Sequence, residues 1–111
     1  IVDRIKDLVI RGGENIGCGE VEAALLEHPL IQEASVYALP DERLGEEVGT
    51  TLYVSAAIEE DELSDFLQTR LAKFKVPRHI SQQQQPLPRT ASGKILKRDL
   101  REEACQRLGL A

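Results

Sequence analysis

The chain contains no methionine and no tryptophan, and its two phenylalanines and two tyrosines bring aromatics to only 4% of 111 residues. Any core it builds has to be aliphatic. Positive charge is also scarce. Fourteen Lys and Arg against 19 Asp and Glu leave a net charge of −5, which argues against binding a nucleic-acid backbone as the main task. Only two cysteines occur, Cys18 and Cys105. They lie far apart, with neither metal-ligand nor redox spacing, and a reducing, cytoplasmic setting is expected. The two histidines, His28 and His79, are isolated and read as helix-end or surface residues rather than ligands. No apolar run approaches the roughly 20 residues of a membrane span. A phosphate-cradling P-loop is missing as well. Around Gly93-Lys94 it would need glycine at position 88 and Ser or Thr at 95, and these are Pro88 and Ile95.

What is present suffices for one small domain. Apolar residues make up 41%, enough for a single core in a chain of this length. Ile1-Val2-Asp3-Arg4 starts at full strand character, so the chain reads as a piece of something longer, with residues 1–111 forming one domain. Residues 1–11 read as two short strands around a charged pentad, Asp3 to Asp7. The pentad is either a solvated hairpin tip or a hinge with a phosphate-facing arginine. Gly12-Gly13 frees the backbone for a tight turn, and 14–19 reads as a loop. A helix is expected from Glu20 to Glu27, stopped by His28-Pro29. Strands follow over 30–39 and 48–55, joined by the turn residues 40–46, which suggests an antiparallel pair. The clearest helix runs from 58 to 71, on a stripe of Leu63, Phe66, Leu67 and Leu71. Its leading Glu59, Glu60, Asp61 and Glu62 suit the positive end of the helix dipole and read as a helix-start device, not a metal site. The polar run Gln82 to Gln85 suggests an edge or exposed end of a strand. A last helix spans 97–108, with Lys97 and Arg98 opposing its dipole by up to ~1 kcal/mol, a broken local rule that hints at function. The sum is an α+β fold: a leading β-hairpin, a three-stranded sheet and packed helices.

The rest of the chain reads as a scaffold for Leu87-Pro88-Arg89-Thr90-Ala91-Ser92-Gly93-Lys94-Ile95-Leu96-Lys97-Arg98. Pro88 within it and Pro86 just before it deny it strand pairing, Gly93 removes bulk beside Lys94, and the following helix anchors its far end. Lys94 is then either a plain surface lysine in a turn or a presented ammonium suited to a phosphate or carboxylate.

Three stretches in this order carry a resemblance. They are Asp3-Arg4-Ile5-Lys6-Asp7-Leu8-Val9-Ile10-Arg11-Gly12-Gly13-Glu14-Asn15-Ile16 with Glu20-Val21-Glu22, then Pro40-Asp41-Glu42-Arg43-Leu44-Gly45-Glu46, then Leu87 to Lys97. Over essentially its whole length the chain resembles the small C-terminal domain of the acyl- and aryl-CoA synthetases, AMP-forming acid–CoA ligases of the adenylate-forming superfamily. The resemblance implies a two-step reaction. A carboxylic acid attacks the α-phosphate of Mg-ATP (Mg2+ accompanying the nucleotide), giving an acyl-adenylate and pyrophosphate. The thiol of coenzyme A then displaces AMP. It implies that the small domain closes over its own N-terminal domain for the first step and rotates on a hinge for the second. By the same resemblance Lys94 matches the adenylation lysine, Lys6 the hinge, Arg4 a nucleotide-binding arginine, and Gly12 and Gly13 a turn lining the path of the CoA arm. No metal ligand is implied within the chain. The ending Gly-Lys-Ile-Leu-Lys-Arg resembles CoA ligases, with a fatty or related acyl acid as the expected substrate. The isolated domain is expected to be inactive. Two other readings remain at this stage: a domain that loads a carrier protein, and a non-catalytic interaction module that kept the fold.

Overall fold

A computed structural model describes residues 8–110. The charged pentad and the positions of Arg4 and Lys6 lie outside the described residues. Strands β1 (Leu8–Arg11) and β2 (Glu14–Gly17) lead into helix α1 (Cys18–Leu26). Strands β3 (Ile31–Asp41) and β4 (Gly45–Val54) follow, then helix α2 (Glu60–Gln68), a short 3-10 turn (Lys73–Lys75), strand β5 (His79–Gln83) and helix α3 (Lys97–Leu108). All strands join one five-stranded sheet organised on β4. β3 pairs antiparallel along its length, from Ile31↔Val54 to Asp41↔Gly45. β1 meets β4 at Arg11↔Gly45, and β5 runs parallel to β4 from Gly49↔His79 to Tyr53↔Gln83.

Period-2 alternation sends β3 and β4 side chains to two different cores. Ala34, Val36, Val48, Leu52 and Val54 face α1 and α2, meeting Val21, Leu25, Leu63 and Leu67. Tyr37 and Leu39 face the other way, onto Leu87, Leu100 and Ala104. Alternation of Val48, Thr50, Leu52 and Val54 suggests a half-buried strand, but β4 is buried continuously from Glu47 to Leu52 because helices cover both faces of the sheet. Gly49 makes the second core possible. A Cβ there would stand 2.6 Å from Leu39 Cδ1 and 2.9 Å from Tyr37 Cε1. Gly49→Ala should therefore destabilise the domain by about 1–3 kcal/mol through overpacking, read as a lower urea midpoint at unchanged slope.

Three expectations change. Residues 14–17 form a strand rather than a loop, because they zip against β1 from Arg11↔Glu14 to Leu8↔Gly17 and bury Ile16. The hairpin is thus centred on Gly12-Gly13. Helix α2 starts at Glu60, two residues after Ile58, because Ile58 is held elsewhere. Its N–H donates to Gln82 Oε1 (2.9 Å), and its carbonyl accepts from Gln82 Nε2 (2.8 Å). One glutamine of the polar run therefore substitutes for a neighbouring strand at the edge of β5. Lastly, Lys97 at the start of α3 has a structural partner, Glu22 of α1, at 3.0 Å. Glu22 also accepts the Val36 N–H (2.9 Å), and Arg101 donates to the Ala38 carbonyl (2.5 Å). Together these side chains cap the outer edge of β3, which offsets the unfavourable dipole and guards against edge pairing.

Candidate functional site

The segment from Leu87 to Leu96 folds as a tight hairpin-like loop. Gly93 N–H donates to the Thr90 carbonyl (2.9 Å), Thr90 N–H to the Lys94 carbonyl (2.7 Å), and Lys94 N–H to Thr90 Oγ1 (3.1 Å). Gly93 takes φ +94°, a conformation that only glycine adopts cheaply. Arg89 and Ile95 form a β-bridge at the root, where Leu96 N–H donates to the Pro88 carbonyl (2.8 Å). Lys94 is exposed at this tip. Among the described residues its ammonium has no hydrogen-bond or ion-pair partner. The loop thus supplies one uncommitted cation on a shaped backbone.

The loop is fastened by Glu33 of β3. Its carboxylate accepts the Leu87 N–H (2.8 Å) and pairs with the Arg89 guanidinium. Arg89 Nη1 in turn donates to the carbonyl of Gly93 (2.7 Å). Burial by itself would raise the Glu33 carboxyl, but the bonds from Arg89 and the Leu87 N–H outweigh it and hold the group below the usual 4.5. The clasp is therefore intact at neutral pH.

The second candidate element is the hairpin turn. Gly12 and Gly13 have φ +56° and +91°, the signature of a type I′ turn. Gly12 N–H donates to the Leu44 carbonyl (2.8 Å), and a Cβ at Gly12 would stand 3.1 Å from Leu44 Cδ2. At Gly13 a Cβ would meet nothing within 4 Å, so that glycine faces open space. The turn it rests on is shaped by Asp41, whose carboxylate accepts the N–H groups of Arg43 (3.1 Å) and Leu44 (2.8 Å). Glu46 accepts the Ile10 N–H (2.7 Å). Beneath the hairpin, Arg11 Nε donates to the buried Glu47 carboxylate (2.6 Å). The described part of the first motif, from Leu8 onward, therefore forms one assembly with the second.

The third motif lies elsewhere. The Lys94 loop is anchored at Glu33, whereas the Gly12-Gly13 turn is anchored at Leu44 and Gly45, opposite Asp41. Glu33 and Asp41 are eight residue steps apart along β3, roughly 26 Å of strand. The structure thus brings Gly12 and Gly13 together but sets Lys94 at the opposite end of the sheet. Glu33, Glu47 and Arg11 escaped the sequence reading. Nothing local marks them: Glu47 sits beside Glu46, Glu33 follows Gln32, and Arg11 ends its strand.

The sequence pattern of the AMP-binding enzyme C-terminal domain matches residues 20–94. The chain belongs to that family. It is 45% identical over 112 residues to the medium-chain fatty-acid–CoA ligase of Escherichia coli K12, covering 97% of this chain and 20% of that protein. A fatty acyl CoA synthetase of Mycobacterium tuberculosis superposes with a TM-score of 0.85 at 34% identity, over 94% of this chain and 21% of that one. The o-succinylbenzoate CoA synthetase of Bacillus subtilis, in complex with its acyl-adenylate intermediate, gives 0.79 at 40% identity, over 86% of this chain and 19% of that one. The chain spans about a fifth of the length of these relatives. Among the described residues of this AMP-binding C-terminal domain, no helix is long and apolar enough to cross a membrane.

Proposed function

We propose that this domain is the catalytic lid of an ATP-dependent carboxylate–CoA ligase acting on a fatty or related acyl acid. The observation that carries the reading is the separation of its two candidate faces, an exposed lysine whose ammonium has no partner among the described residues at one end of the sheet and an open diglycine turn at the other. A two-step ligation needs each at a different moment. In the first step Lys94 stabilises charge that builds on the carboxylate and α-phosphate oxygens as pyrophosphate leaves, the kind of preorganised cation that lowers such barriers. In the second, the domain turns about Lys6, and Gly12 and Gly13 leave room for the thiol arm of coenzyme A where a side chain would obstruct it. Arg4 contacts the nucleotide. The acyl pocket and most of the ATP site belong to the larger N-terminal domain. ATP, with its Mg2+, and coenzyme A are substrates bound mainly there.

The test is carboxylate-dependent exchange of labelled pyrophosphate into ATP by the full-length polypeptide, over short, medium, long and aromatic acids. Coenzyme A and a phosphopantetheinylated carrier protein are then offered as acceptors. Exchange with fatty acids and thioester on coenzyme A are expected. Thioester on the carrier alone would move the protein to the carrier-loading class. A folded protein with no exchange for any acid would overturn the reading in favour of a non-catalytic module.

A further inference from the structure

The geometry points to Glu33, acting through Arg89, as the residue that positions Lys94. This inference rests on the role given to Lys94 above. The hydrogen bonds inside the loop shape its tip, but they do not fix the tip to the domain. Among the described residues, the polar ties from Leu87–Leu96 to the sheet both end on Glu33: the Leu87 N–H at 2.8 Å and the Arg89 guanidinium. Arg89 then reaches the Gly93 carbonyl at 2.7 Å, the peptide group directly before Lys94. The chain of contacts runs from a rigid strand to the backbone of the charge-stabilising lysine in two side chains. The apolar anchors, buried Leu87 and half-buried Ile95, hold the root of the loop but not its tip.

Such a clasp has little to contribute to folding. The Arg89 side chain is 41% exposed and that of Glu33 19%, and ion pairs near the surface add little to stability. Placement is another matter. A lysine ammonium sits on a flexible four-carbon stem, and misplacing a reacting group by about 1 Å can cost a hundredfold in rate. Glu33 is therefore a positioning residue for adenylation, with no bearing on the distant diglycine face.

The experiment uses the full-length polypeptide carrying Glu33→Gln. That change keeps side-chain volume and an acceptor for Leu87, and it removes the charge facing Arg89. We expect the turnover of pyrophosphate exchange to fall about tenfold or more, with little change in KM for ATP. Thioester formation from supplied acyl-adenylate and the melting temperature should be unchanged. Amide hydrogen exchange over residues 87–96 should quicken. In a Lys94→Ala background, Glu33→Gln should cost nothing further, because its only route to the chemistry is that lysine. Equal loss of both half-reactions, or the same factor lost in the Lys94→Ala background, would overturn the positioning role. Unchanged amide exchange in the loop would overturn the clasp itself. Faster loop exchange beside a Lys94→Ala enzyme that still adenylates would instead overturn the role assigned to Lys94.

Discussion

On the proposed function, replacing Lys94 by alanine in the full-length polypeptide is expected to cut adenylate formation by about 10²–10³-fold, the usual cost of removing one preorganised group from a site of developing charge. Thioester formation from supplied adenylate should stay within about twofold of the parent. The asymmetry follows from the architecture. The anchors of Lys94 and of the diglycine turn, Glu33 and Asp41, lie about 26 Å apart along β3, so on the proposed two-step reading only one of the two ends is engaged at a time. Folding should not respond. The ammonium is exposed and without a partner among the described residues, and the loop that bears it is held by backbone groups, Thr90 and Arg89. Single-turnover assays of each half-reaction, with a melting curve as control, decide the matter. Equal loss of both steps would show that Lys94 supports the domain rather than the chemistry.

The sequence made the elements easier to read than their fastenings. Helix α3 stands where periodicity puts it, because amphipathic repetition is a property of the segment itself, whereas the expected β3–β4 pair runs on into the turn residues 40–46 as far as Asp41↔Gly45, where cross-strand pairing overrides local turn composition. The Lys94 loop could be read as a presenting turn because Pro88, Gly93 and the helical pattern after it are local signals. Other features depend on contacts distant in sequence. Residues 14–17 have the composition of a loop and become a strand only because β1 lies alongside, with Gly12-Gly13 closing the pair. Ile58 belongs by pattern to the helix of Leu63 and Leu67, yet the amide of Gln82, 24 residues on, takes its backbone groups. Lys97 looked like a broken rule with a functional cause, and Glu22 on another helix supplies the structural one. The candidate site divides in the same way. Its presenting glycines and lysine could be picked out along the chain. Its positioning charges, Glu33 and Glu47, could not, because a carboxylate in an apolar strand gains its meaning from an arginine that folding delivers.

Arg11→Met should produce the largest loss of stability among these changes, about 3 kcal/mol. Glu47 is only 2% exposed. Its carboxylate accepts Arg11 Nε at 2.6 Å and the Val48 N–H at 3.1 Å, and removing the guanidinium leaves a buried negative charge with one backbone donor. Burying a charge without its partner costs far more than the pair contributes when intact. The partial exposure of the Arg11 side chain, 27%, keeps the effect at the lower end of the range. The control is the double change Arg11→Met with Glu47→Met, which removes both charges and should regain most of the lost stability, as replacing a buried pair by apolar groups commonly does. Urea unfolding of Arg11→Met, Glu47→Met and the double variant beside the parent measures the cycle. A single mutant within about 1 kcal/mol of the parent would mean that water reaches Glu47 and that the pair is a surface contact. The predicted cycle carries a functional consequence, since Arg11 directly precedes Gly12. A domain that needs Arg11 to neutralise Glu47 has its diglycine turn tied to the central strand β4, as Arg89 and Glu33 tie the lysine loop to β3.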